Sequence, residues 1–382
     1  MKIFKFLHPH FLFRFATGFE YLYSVQPIYN IKIRNLCSVQ NDCVRQRITH
    51  RPIVVIANEQ TRRKGRLPLK VMFLDQEAEW QHTIDYIKEL MYRPEVEPYW
   101  LQVPIRLFNC TSHTENWLDC WNPEKKDLWV HPQDPIAITE NTYGTDRFHK
   151  MFEKFSTKLF NNEPHAVIAG VRAGESLNRY TALTWHECYK GVTWGKSAYS
   201  KHGAVTFYPL YDWNEDDIWT YIAKSGCKYN KVYDLMFNYG VPQHMMRVSN
   251  LHHETAYHAL FFLQEIERGT YERLVRRLPG IATFNTLQEE NLFPRELPEM
   301  FASWAEYRDY LLETIVQPEL RDNFRRMWKG QDGEDWAKEH VYGIIVNDYE
   351  ATKNKNKKST VRLNEKKAEG RFVKAYGINQ ST

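Results

Sequence analysis

Arg172, Glu175, Ser176 and Arg179 lie close together in the stretch VIAGVRAGESLNR, residues 167–179. Two planar guanidinium forks at this spacing suit the oxygens of a phosphate or sulfate group. The apolar run 166–169 and the following Gly170 predict a short buried strand, a turn, and a helical start at Glu175. Gly170 and Gly174 would let the backbone approach a ligand closely. A strand that feeds a polar turn and then a helix is how open α/β folds present a ligand site at the carboxyl ends of their strands. The same residues also fit an ordinary strand-to-helix turn, with Arg172 and Arg179 solvated or paired to Glu175 and nearby acids. On these residues alone both readings stay open.

A second stretch, residues 207–234, reads FYPLYDWNEDDIWTYIAKSGCKYNKVYD. Residues 207–210 are apolar and strand-like. Asp212 or Asn214 is placed to cap a helix carrying Glu215, Asp216 and Asp217 in its first turn, and Gly226 is placed to end it. Together, GVRAGESLNR, YPLYDWNEDDIW and YNKVYD resemble the phosphoadenosine-phosphosulfate reductase-like branch of the adenine-nucleotide α-hydrolase superfamily, in which these three segments follow one another in this order. Each is weak alone; their order is what is specific. The resemblance covers residues 53 to about 342.

The resemblance implies a doubly wound, mostly parallel α/β sheet with a helical carboxyl-terminal subdomain. It also implies an adenine nucleotide or phosphosulfate-type ligand surrounded by Arg172, Glu175, Ser176 and Arg179, with Asp75 and Asp212 at neighbouring strand ends. ATP with Mg is the cofactor that an intact pocket would take, and no iron–sulfur cluster is expected. Two departures stand out. The S-G-G-K-D-S phosphate loop occurs nowhere in the sequence, and no cysteine follows Cys227 to act as the nucleophile that reductases of the group use. Sulfur or nucleotidyl transfer is therefore expected ahead of classical reduction. The alternative is a non-catalytic regulatory protein acting with a ParB-like partner or with DNA, as in some bacterial relatives.

The elements that must position these residues are partly legible. Residues 1–51 show no stable period and stay unassigned, so the first strand and its loop are expected to be missing or replaced; residues 53–64 look like the helix that normally follows them. LKVMFL, residues 69–74, is a continuous apolar run that predicts a buried parallel strand. Asp75, Glu77 and Glu79 follow it; helix-dipole complementarity accounts for the two glutamates, while Asp75 is the one favoured for function. Residues 100–108 predict the next strand, and 109–135 a long Trp-rich loop, which in the resembling family lies near the substrate pocket. Cys110, His113 and Cys120 there are too unevenly spaced for zinc, and packed thiols are expected. Residues 145–160 have helical apolar spacing. His186, and His252, His253 and His258, carry no catalytic or metal-binding order.

Four segments follow: 1–51 unassigned, 52–245 the α/β domain, 246–347 a helical subdomain with helices expected at 256–266, 271–278, 304–315 and 320–328, and 348–382 a lysine-rich tail. The formal net charge of only +4 argues against a general polyanion binder, yet the tail offers a DNA contact. The six cysteines form no disulfide framework, and no apolar run reaches membrane-spanning length. A cytoplasmic protein is expected.

Overall fold

The computed structural model describes residues 35–39, 50–175, 177–184, 193–199, 204–248, 250–253, 256–286 and 292–348. Eight strands lie among them: β1 (Asn35–Val39), β2 (Leu69–Leu74), β3 (Val96–Leu101), β4 (Ile105–Phe108), β5 (Trp117–Cys120), β6 (Ala166–Ile168), β7 (Gly195–Tyr199) and β8 (Ala204–Phe207). Six form one sheet in the order β3-β2-β1-β6-β8-β7. All neighbours are parallel except β7, which runs antiparallel on the edge beside β8. The order reverses between β1 and β6, which is where a doubly wound sheet opens a crevice at its carboxyl edge. This is the adenine-nucleotide α-hydrolase-like architecture that the motifs imply.

The first strand is present after all. β1 occupies the middle of the sheet, with Leu36 opposite Lys70 on one side and Val167 on the other. It falls inside the segment that sequence reasoning leaves unassigned. The apolar stretch at 100–108 also divides: Trp100 and Leu101 end β3, while Ile105 onward leaves the sheet to pair with β5 as a separate antiparallel hairpin. The chain leaves the sheet edge over residues 102–104, and Pro104, which has no N–H to offer a ladder, stands at that break.

The longer helices among the described residues are α1 (His50–Arg63), α2 (Gln81–Met91), α3 (Phe148–Leu159), α4 (Leu177–Thr184), α5 (Glu215–Ser225), α6 (Val232–Tyr239), α7 (Arg268–Arg277), α8 (Trp304–Thr314), α9 (Pro318–Trp328) and α10 (Glu334–Ile345). α1 buries Ile53, Val54, Ile56 and Ala57, and α3 buries Phe148, Met151, Phe152 and Phe155, each along one helical stripe. Asn214, not Asp212, caps α5: its side chain accepts from Asp217 N–H while Asp217 reaches back, and Gly226 closes the helix at φ 65°. Sequence periodicity passes over α10, although it buries Ala337, Val341 and Ile344.

One hydrophobic core runs from α1 through the sheet to Leu274, Leu278, Ile281 and Phe284. A satellite core joins α8, α9 and α10 through Leu312, Phe324, Trp328, Val341 and Ile344. The chain after α6 reaches back to the carboxyl edge of the sheet. Glu267 accepts from Gln81 N–H (2.6 Å) and His82 N–H (3.0 Å), supplying the cap that α2 lacks from its own sequence. Asn347 donates to the carbonyls of Asn109 and Ser112. A Cβ on Gly280 would lie 1.9 Å from the Thr111 carbonyl oxygen, so only glycine permits this contact.

Candidate functional site

The turns after β6 and β8 are joined into one unit at the carboxyl edge of the sheet. Ala169 N–H donates to the Phe207 carbonyl at 2.9 Å, and Ala173 N–H to the Tyr211 carbonyl at 2.7 Å. Arg172 Nη1 donates to the Trp213 carbonyl at 3.1 Å. These three bonds tie the turns to each other, which gives a physical reason for the two sequence segments to occur together. Asp212 sits exposed between Tyr211 and Trp213 in the second turn.

Within the unit, Glu175 gathers both arginines. Its Oε1 lies 3.5 Å from Arg172 Nε, and its Oε2 pairs with Arg179 Nη1. The Arg172 and Glu175 side chains are buried, while that of Arg179 keeps 17% of its surface. The pairing to Glu175 that the sequence left open as a second reading is thus realised. It does not remove the anion chemistry, because two guanidinium groups face one carboxylate and positive charge remains. Burial pushes the Glu175 carboxyl up to about 7, against the pull of Arg179 and Arg172. Near neutral pH the cluster therefore passes between one and two net positive charges. Ser176 lies outside the described residues.

Asp75 ends up apart from this cluster, since β1 separates β2 from β6. It is fully buried. Its Oδ1 accepts from Glu77 N–H, and its Oδ2 from Trp100 Nε1 and Gln102 Nε2, all at 2.9 Å. His131 Nε2 stands 3.4 Å from Oδ1. The other ring nitrogen of His131 lies 3.2 Å from the Pro132 carbonyl, so both nitrogens face acceptors and the imidazolium is the form that suits them. Burial opposes the charge on each partner. Their mutual attraction overcomes it, lowering Asp75 and raising His131 from their ordinary values. With its oxygens so engaged, Asp75 supports the loop after β2 from within.

Glu77, which sequence reasoning assigned to the helix dipole, makes a different contact. Its positive φ of 63° turns the side chain into the core. There it accepts from Arg277 Nε at 2.7 Å and from Trp121 N–H at 2.8 Å. His131 and Arg277 are the supporting residues that sequence reasoning missed. Their partners are 56 and 200 positions away, with no local spacing to announce them.

Cys110 and Cys120 are buried and in no disulfide, and burial beside Glu77 raises Cys120 well above an ordinary thiol. His252 is fully buried and lowered to about 3 by that burial and by His253 and Arg277, so it stays neutral. Among the described residues no three His, Cys, Asp or Glu side chains converge on a metal position. His186, and the lysines from Lys353 to Lys374, lie outside the described residues. No described helix is long and apolar enough to cross a membrane.

With this geometry in hand, the sequence model of the phosphoadenosine phosphosulfate reductase domain matches residues 53–239. These residues therefore form a phosphoadenosine phosphosulfate reductase-like domain. The match holds all three sequence segments and begins inside α1. The uncharacterized protein YbdN of Escherichia coli (strain K12) is 29% identical over 274 residues, covering 68% of this chain. The alignment spans 66% of YbdN, just under two thirds of that relative's length. Among solved structures, the phosphoadenylyl-sulfate reductase of Candida auris in its phosphate complex aligns with a TM-score of 0.31 and 16% identity. That alignment covers 60% of this chain and 92% of the other.

Proposed function

We propose that the chain binds an adenine nucleotide or a phosphosulfate-type ligand in the crevice between β1 and β6, with sulfur or nucleotidyl transfer as the reaction class. The observation that carries this reading is the joined pair of turns after β6 and β8. It sets Arg172, Glu175 and Arg179 beside the point where the strand order reverses. Arg179, the more exposed of the two arginines, is the one to meet a phosphate or sulfate oxygen first. Arg172 holds the turn through the Trp213 carbonyl and adds positive field from behind. An arriving oxyanion and the Glu175 carboxylate compete for the same guanidinium groups, so binding favours protonation of Glu175. Mg would ride on the phosphates of ATP, as that ion commonly does. Reduction is not part of the proposal. Of the described thiols, Cys110 and Cys120 are buried in the core, and Cys227 follows the end of α5.

Titration calorimetry with ATP, adenylyl sulfate and phosphoadenylyl sulfate tests this on the wild type, Arg179→Gln and Arg172→Ala. Saturable binding of at least one ligand is expected, weakened roughly tenfold or more by Arg179→Gln, the loss of one charge-assisted contact. A folded wild-type protein that binds none of the three would overturn the reading.

A further inference from the structure

A second cavity, of about 640 Å³, opens between the loop after β5 and α7. Lys126, Trp129, His131 and Gln133 form one side, and Gln81 and Arg273 the other. None of the described residues lining it is a carboxylate. Of the acids nearby, Asp75 lies behind His131, Glu267 is directed to the amides that open α2, and the exposed Asp85 accepts from Gln81 Nε2 at 2.9 Å. Since Asp75 balances His131, the uncompensated charges are those of Lys126 and Arg273.

Both cations are presented rather than consumed. The Lys126 ammonium stands 5.9 Å from the centre of the Trp129 ring and makes no ion pair among the described residues. Arg273 is held in place by neutral groups, donating to Gln81 Oε1 at 3.1 Å and Thr270 Oγ1 at 3.2 Å. Its Nε is buried without a hydrogen-bond partner, an arrangement that an acceptor in the cavity would complete. Trp129 is fixed as a wall by its Nε1–H to the Asn122 carbonyl at 3.1 Å.

We propose that this cavity is a second anion site, distinct from the β1/β6 crevice, that takes a phosphate or sulfate group, free or borne on a small ester. Two uncompensated cations match the charge of a divalent oxyanion. The volume exceeds what the bare ion needs and lies within the range of small-ligand pockets, leaving room for the ester's organic part against Trp129. The inference does not rest on nucleotide binding at the crevice, and it stands or falls separately.

The test is calorimetry at constant ionic strength with inorganic phosphate, inorganic sulfate and ribose 5-phosphate as probes. The wild type is compared with Lys126→Gln, Arg273→Gln and the double variant. Lys126 is exposed, so Lys126→Gln leaves folding intact and keeps the test decisive even if Arg273→Gln disturbs α7. The expected result is saturable binding, weakened roughly tenfold or more by either substitution and abolished by both. Tighter binding of ribose 5-phosphate than of inorganic phosphate assigns the site to an ester; the reverse assigns it to the free anion. No saturable binding of any probe, or equal affinity in Lys126→Gln and wild type, overturns the proposal.

Discussion

Glu175 gives the sharpest energetic prediction, because burial and two arginines pull its carboxyl in opposite directions. Burial wins, and the group titrates at about 7 instead of 4.5. The folded state then holds a proton that the unfolded state has released throughout that window. Stability contributed by this group is fully present below pH 4.5 and is lost as pH rises to about 7. At roughly 1.4 kcal/mol per pH unit the loss amounts to about 3 kcal/mol. Glu175→Gln removes the titration while keeping the shape of the protonated form. Urea unfolding of both proteins between pH 4.5 and pH 7.5 or so, at one salt concentration, should show wild type losing about 3 kcal/mol relative to Glu175→Gln. The opposite trend, with wild type gaining on the variant as pH rises, would show that Arg172 and Arg179 hold the carboxylate ionised and would refute the reasoning.

Three further expectations come from contacts at the carboxyl edge. Gly280→Ala drives a methyl into the Thr111 carbonyl, and should cost about 2–3 kcal/mol in denaturant unfolding, since backbone there must move. Arg277→Ala leaves Glu77 charged and buried, so a loss of about 3–5 kcal/mol is expected; a change below about 1 kcal/mol would contradict the buried pair. His131 has a raised value in the folded state, so its contribution is present below 6.5 and is lost as pH rises through that raised value. His131→Gln should flatten the stability profile on that limb, and an unchanged profile would argue against the imidazolium.

The parts legible in the sequence are those whose neighbours are local or whose burial is complete. LKVMFL and AVI are largely buried, and their apolar runs announce β2 and β6, whereas the strand expected at 207–210 lies instead at Ala204–Phe207, with 208–210 in the turn that follows it. The cap and stop of α5 are written in Asn214, Asp217 and Gly226. β1 is different: NLCSV has no apolar run of its own and becomes a strand because β2 and β6 pair with it on both sides. Arg172, Glu175 and Arg179 are close in sequence and close in space. The supports of Asp75 and Glu77 come from distant segments, and only the packed structure brings His131 and Arg277 to them.

The central claim is that a nucleotide or phosphosulfate sits against the joined turns after β6 and β8. Amide hydrogen exchange, followed with and without saturating ATP or adenylyl sulfate, reads those turns directly. The account predicts slowed exchange at residues 169–175 and 208–213, weakened in step with affinity in Arg179→Gln. Ligand binding that protects other segments and leaves both turns unchanged would contradict it.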